Sequence, residues 1–189
     1  MTTAVRRLTL EEYLKYDDGT DTRSELVAGE LVAAPPESSQ SVQISLFLLT
    51  QFLRFVPIRQ LSNKVEIVVT GSRSTTRIPD LVVLTDELAT VLQATRSTVT
   101  SNMLSPALIV EVVSPGKINE DRDYHYKRSQ YAARGIAEYW IVDPQIDRVT
   151  VLTLVEGLYE ETVFEGNTAI ASATFPQLQL TAGQIMVKL

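Results

Sequence analysis

Ala107-Leu108-Ile109-Val110-Glu111-Val112-Val113 is an apolar run interrupted by one carboxylate and closed by Ser114-Pro115. A run without polar alternation reads as a strand covered on both faces, and such strands lie inside sheets with helices packed against them. Glu111 is the anomaly. An unpaired charge in a low-dielectric interior carries a penalty of several kcal/mol, so Glu111 must be neutralised, paired with a cation or bound to a metal. The plain alternative is a core-edge carboxylate that reaches solvent or salt-bridges a neighbour.

The flanking sequence supplies the other elements. Thr9-Leu10-Glu11-Glu12 has the spacing of a capping box and predicts a short opening helix, ended by Asp17-Asp18-Gly19. Ser24–Val27 and Glu30–Ala33 flank Ala28-Gly29 and read as a β-hairpin closed by Pro35-Pro36. From about Ser39 to Phe55, Val42, Leu46, Leu49 and Leu53 recur at helical spacing, which predicts a core helix that stops before Pro57.

Lys64–Val69 and Ile78–Leu84 read as strands separated by the polar turn Gly71-Ser72-Arg73-Ser74. A long polar connection containing Asp86 and Glu87 leads to the Glu111 strand. Asn119-Glu120-Asp121 offers an N-cap and an acidic first turn for a helix running to Arg134, with Gly135 as its left-handed stop. Glu138–Asp143 is a further strand, stopped by Pro144. Val149–Val155, Leu158–Phe164 and Thr168–Phe175 read as a strand meander turning at Gly157 and Gly166-Asn167. The expected class is α/β. One domain spans 1–189: an N-terminal helix and hairpin (1–38), a core (39–144) with a mixed central sheet flanked by helices, and a C-terminal strand meander (145–189).

In that order Asp80 opens one central strand and Glu111 lies in the next. Side chains alternate along a strand, so Ile109, Glu111 and Val113 share a face. If the two strands pair, Asp80 and Glu111 point to a common place. Two close carboxylates repel unless a cation sits between them, and hard oxygen donors suit Mg²⁺ or Mn²⁺. Two unrelated charges at strand ends would leave the same trace in the sequence.

A net charge of −6 argues against strong non-specific coating of nucleic acid, which depends on Lys and Arg displacing counterions. Carboxylates gathered around a divalent cation would produce the same acidic balance. The chain has no Cys, which removes disulfides and cysteine metal sites, and its single His, His125 between Tyr124 and Tyr126, leaves almost no material for a histidine metal site or a Ser-His-Asp triad. No Gly-rich phosphate loop appears, so a nucleotide cofactor is not expected. No apolar signal core opens the chain and no stretch reaches the roughly 20 apolar residues of a membrane span, so the expected compartment is the cytoplasm.

Pro79-Asp80, followed by Glu111 in a buried strand with a helix on either side, resembles the core of the PD-(D/E)XK restriction-endonuclease-like nucleases. Glu25-Leu26-Val27-Ala28-Gly29-Glu30-Leu31, Pro79-Asp80-Leu81-Val82-Val83, Val110-Glu111-Val112-Val113-Ser114-Pro115 and Tyr131-Ala132-Ala133-Arg134-Gly135 leading into Glu138–Pro144 are similar, in the same order, to the Uma-type endonuclease family. The superfamily pattern places Lys two residues after the acidic residue, where this chain has Val113. The resemblance gives that place to Lys127 of the following helix, and Asp123, Lys127 and Tyr131 fall at i, i+4 and i+8. The spacing alone also fits a surface Asp123–Lys127 pair.

The resemblance implies hydrolysis of DNA phosphodiester bonds. Asp80, Glu111 and the main-chain carbonyl of Val112 would hold Mg²⁺ or Mn²⁺, with Lys127 orienting water or stabilising the phosphorane. Glu25 would extend the acidic cluster; Glu30 and Tyr131 are weaker candidates. Lys117, Arg122, Arg128 and Arg134 could contact phosphates or form a solvated helix face. Cutting both strands of a duplex suits a two-fold dimer. A catalytically silent binding or regulatory module on the same fold, and a nuclease for RNA or branched substrates, stay open at this stage.

Overall fold

The N-terminal helix and hairpin form where local signals are strongest. The computed structural model describes residues 7–17, 19, 24–33, 38–69, 74–93, 97–115 and 122–186, apart from the side chains of Arg122 and Asp123. In chain order the elements are α1 (Leu10–Leu14), β1 (Ser24–Val27), β2 (Glu30–Ala33), α2 (Ser39–Phe52), a 3₁₀ turn (Ile58–Gln60), β3 (Leu61–Ser62), β4 (Glu66–Val69), β5 (Thr75–Arg77), β6 (Leu81–Val83), α3 (Asp86–Leu92), β7 (Thr98–Val99) and β8 (Leu108–Val112). A π-helical segment (Arg122–Lys127), α4 (Arg128–Arg134), β9 (Glu138–Asp143), β10 (Arg148–Val155), β11 (Leu158–Glu165) and α5 (Ala182–Ile185) follow.

Thr9 and Glu12 close the expected capping box: Thr9 Oγ1 accepts the Glu12 N–H at 3.2 Å and Glu12 Oε2 accepts the Thr9 N–H at 2.8 Å. The hairpin turns through Ala28 and Gly29, both at positive φ, as a tight two-residue turn requires. Thr75 and Thr76 dock it, their hydroxyls accepting the N–H groups of Ala28 and Leu26.

A six-stranded sheet in the order β11-β10-β9-β8-β6-β3 forms the middle layer. β8 pairs parallel with β9, while the other neighbours are antiparallel. Leu108, Val110 and Val112 face a core shared with Leu48 and Phe52 of α2 and with Phe175 and Ile185 of the C-terminal segment. Ile109 and Val113 face the opposite core, with Tyr131 of α4, Leu88 of α3 and Ile67 of the small β5-β4-β7 sheet. Both faces are thus covered, as the apolar run requires. No described helix is long and apolar enough to cross a membrane.

Four local expectations need correction. In α2 the buried residues include Ile44, Leu48 and Phe52, whereas Val42, Leu46 and Leu53 are exposed. The helix is apolar around most of its girth, and Ser41 and Ser45 can turn inward because Ser45 Oγ donates to the Ser41 carbonyl at 2.9 Å and Ser41 Oγ meets Ser38 Oγ at 2.8 Å. The polar connection after β6 contains α3. Its Asp86 and Glu87 are first-turn residues behind the N-cap Thr85, and Leu88, Ala89 and Leu92 are buried.

Thr168–Phe175 is not a strand; only an isolated bridge joins Ala169 to Thr181, so the meander has two strands followed by α5. The strand expected over Ile78–Leu84 shortens to β6, with Asp80 immediately before it, and β5 is an additional strand. The Asn119-Glu120-Asp121 cap, Pro35-Pro36 and the turn at Gly71-Ser72-Arg73 lie outside the described residues, whereas Gly135 ends α4 at φ 79° as a left-handed cap.

Candidate active site

Strand alternation sends Glu111 toward α4, and there the carboxylate finds a cation. Glu111 is 2% exposed and Lys127 4%. Lys127 Nζ lies 2.7 Å from Glu111 Oε2, and the Tyr131 hydroxyl donates to Oε1 at 2.6 Å. Lys127 closes the π-helical segment and Tyr131 sits one turn on in α4, so one helix face brings both donors to the strand. The side chain of Asp123, the first member of the expected stripe, lies outside the described residues.

Asp80 arrives from the other side. The β6–β8 register ends at Leu81↔Val110, so continuation places Asp80 across from Glu111 and Pro79 across from Val112. Asp80 Oδ2 accepts the Val112 N–H at 2.6 Å. In a strand, one residue's N–H and C=O project to the same side, so the Val112 carbonyl also faces this edge. Pro79 has no N–H to offer it. The Pro79-Asp80 pair thereby ends the ladder: the Asp80 carboxylate accepts the Val112 N–H, and the Val112 carbonyl receives no backbone N–H from Pro79.

Glu25 takes a different position. Its Oε2 receives Arg77 Nη1 at 2.8 Å and its Oε1 receives the Ile78 N–H at 2.9 Å. Arg77 Nε donates to Gln130 Oε1 at 2.9 Å. Among the described residues no group of three or more His, Cys, Asp or Glu side chains is placed to hold a metal, so Glu25 does not gather with Asp80 and Glu111 into a carboxylate triad. Sequence reasoning missed Arg77 and Gln130. The available signals were the adjacency of Arg77 to Ile78-Pro79-Asp80 and of Gln130 to Tyr131, three residues beyond Lys127.

Among the other candidates, Arg128, Arg134 and Glu30 have protein partners, and the side chain of Arg122 lies outside the described residues. Arg128 bonds Glu161 and the Tyr159 carbonyl, while Arg134 bonds Ser105 Oγ and the carbonyls of Thr100 and Met103. Burial lowers the pKa of the Arg134 guanidinium. Glu30 pairs with Arg7 at the surface, His125 is exposed, and Lys117 lies outside the described residues.

Burial, followed by the Glu111 charge, pushes the Tyr131 hydroxyl well above its ordinary pKa of 10.0, with smaller upward contributions from Tyr139 and the Glu25 charge. Tyr131 is therefore a neutral donor across the physiological range. Above pH 10 the folded chain keeps a proton that the unfolded chain has lost, so this contribution to stability is complete below pH 10 and declines as pH rises further. Chemical denaturation between pH 9 and 11.5 should show the wild type losing up to about 1.4 kcal/mol per pH unit more than Tyr131→Phe once pH exceeds 10. Equal slopes for the two proteins would remove this account of Tyr131.

The donor chemistry fits a hard divalent cation. Asp80, Glu111 and the Val112 carbonyl offer oxygen only, and Mg²⁺ or Mn²⁺ characteristically combines one or two carboxylates with waters. A carboxylate oxygen has two lone-pair directions, so an oxygen that accepts from a side chain can also face a cation.

Comparison with known proteins bears on the family and the fold. Residues 10–183 match the family model Uma2, described as "Putative restriction endonuclease". No curated protein sequence matches the chain. Among solved structures, a "putative nuclease belonging to DUF820" from Anabaena variabilis superposes with a TM-score of 0.71 at 17% identity, covering 95% of this chain and 97% of that one. At that identity the likeness establishes the fold: a mixed sheet flanked by helices.

Proposed function

Because the chain belongs to the Uma2 family, described as putative restriction endonucleases, we propose that it is a cytoplasmic Mg²⁺- or Mn²⁺-dependent endonuclease that hydrolyses phosphodiester bonds in DNA. The observation that carries this reading is the meeting of Asp80, Glu111 and the Val112 backbone at one strand edge beside the buried Lys127. In this proposal Asp80, Glu111 and the Val112 carbonyl hold the cation. When bound, the cation supplies Lewis-acid polarisation of the scissile phosphate and a lowered pKa for the attacking water.

The remaining chemistry belongs to the chain. Lys127 offers a fixed positive charge where the phosphorane gains negative charge, and it does so from a site where burial excludes most competing water. The helix stands in for the Lys that the superfamily pattern places at position 113, where this chain has Val, by bringing an ammonium group to Glu111. Tyr131, kept protonated, fixes the rotamer of Glu111. Glu25 takes part by holding the Ile78 N–H two residues before Asp80. A two-fold pair of copies would present two such sites to the two strands of a duplex.

Val113 and the net charge of −6 favour a second reading, a nucleic-acid-binding or regulatory module without catalysis. Cation titration followed by thermal unfolding separates the two. Mn²⁺ at about 100 times its dissociation constant should stabilise wild type by about 2.7 kcal/mol, and Asp80→Ala should lose that gain together with cleavage of plasmid, linear or branched DNA. No binding at millimolar Mg²⁺ or Mn²⁺, or binding unchanged in Asp80→Ala, would sink the catalytic proposal. Cleavage confined to RNA would replace the substrate while keeping the mechanism.

A further inference from the structure

Arg77 joins three parts of the fold, β1, β5 and α4, through one side chain. Its side chain is 6% exposed and that of Glu25 16%. From β5 it donates to Glu25 of β1 and to Gln130 of α4, while Glu25 uses its second oxygen on the Ile78 N–H. Ile78 and Pro79 are all that separate Arg77 from Asp80. Gln130 lies next to Tyr131 and three residues after Lys127, on the element that engages Glu111. The chain of bonds therefore runs from the segment that sets Asp80 to the helix that sets Lys127.

A planar guanidinium suits this work because its nitrogens are fixed relative to one another, so the directions toward Glu25 and Gln130 are set together. What separates Arg77 from Lys127 is its partners: Lys127 meets Glu111 itself, whereas Arg77 spends its fork on Glu25 and Gln130 and so acts through other residues. We propose that Glu25, Arg77 and Gln130 form a latch that holds the Asp80 segment in register with the α4 helix, making Arg77 a positioning residue of the site. The catalytic consequence rests on the nuclease reading above; the structural one does not. Outer partners of this type characteristically change metal affinity or activity by about ten- to hundredfold.

The test uses the full chain with Arg77→Ala, Arg77→Lys, Gln130→Ala and the Arg77→Ala/Gln130→Ala pair. Three quantities are read: steady-state cleavage of DNA, Mn²⁺ affinity by calorimetry, and amide exchange at Val112, whose N–H is held by Asp80. The latch requires Arg77→Ala and Gln130→Ala each to lower kcat about ten- to hundredfold, with KM changed less than threefold. It also requires the double variant to be no worse than Arg77→Ala, since both remove one linkage, and Arg77→Lys to recover part of the rate. Val112 exchange must accelerate more than exchange at Val149 and Leu152, which lie in the same sheet.

Additive losses, an unchanged kcat, or uniform acceleration of all three amides would overturn the latch. If Arg77→Ala fails to fold, Gln130→Ala keeps the Arg77–Glu25 ion pair and decides by the same criteria. If wild type neither cleaves DNA nor binds Mn²⁺, the nuclease reading falls, and selective exchange at Val112 still decides the latch.

Discussion

Replacing Lys127 with methionine is expected to lower the unfolding free energy by about 3–5 kcal/mol, because removal of one member of a buried ion pair strands the other. The Lys127 and Glu111 side chains are 5% and 3% exposed, so water cannot easily substitute for the missing ammonium. The Tyr131 hydroxyl stays on Oε1 and softens the loss toward the lower figure. Glu111→Gln/Lys127→Met should recover most of it, because a neutral amide still accepts from Tyr131 and no charge remains buried. Urea denaturation of the single and double variants measures this directly. A Lys127→Met protein as stable as wild type would mean that the pair is solvated in solution. Its DNA cleavage should also be lost; cleavage at the wild-type rate would remove Lys127 from the mechanism.

Glu111→Ala is expected to give the deepest loss of activity, on the order of 10²–10³ or more in kcat, the scale found when one preorganised electrostatic group is removed from a reacting centre. The same substitution removes a proposed cation ligand and the partner of Lys127. Single-turnover cleavage at saturating DNA, read with the Mn²⁺-dependent thermal shift, separates these effects. Both should disappear in Glu111→Ala, whereas Lys127→Met should lose rate and retain part of the shift. Retention of full Mn²⁺ stabilisation by Glu111→Ala would move the cation site elsewhere.

Much of the central geometry was legible because it obeys short-range rules. Alternation in the apolar run assigned Ile109, Glu111 and Val113 to one face; the order of the strands made pairing of the Asp80 and Glu111 strands a condition, which the β6–β8 register meets. Gly135 and the Thr9 capping box were equally local signals. The errors arose where local rules are degenerate. In α2, apolar residues lie on more than one side, so periodicity could not choose between Leu46 and Leu48. In α3, acidic N-terminal residues imitated a polar loop. The site's least legible part is the Glu25–Arg77 bond: 52 residues separate its ends, and neither spacing nor composition marks it.

The parallel β8–β9 pair has a consequence for the order in which the molecule can assemble. Parallel neighbours need a crossover, and here that crossover carries Lys127 and Tyr131 over Glu111. The Tyr131–Glu111 contact closes a separation of 20 residues, against 32 for Asp80–Val112 and 52 for Arg77–Glu25. Each doubling of loop length adds about 0.6 kcal/mol to the entropy of closure. The strand–helix–strand unit can therefore bring its carboxylate, ammonium and phenol together from one contiguous stretch of chain, ahead of the distant segments that deliver Asp80 and Glu25.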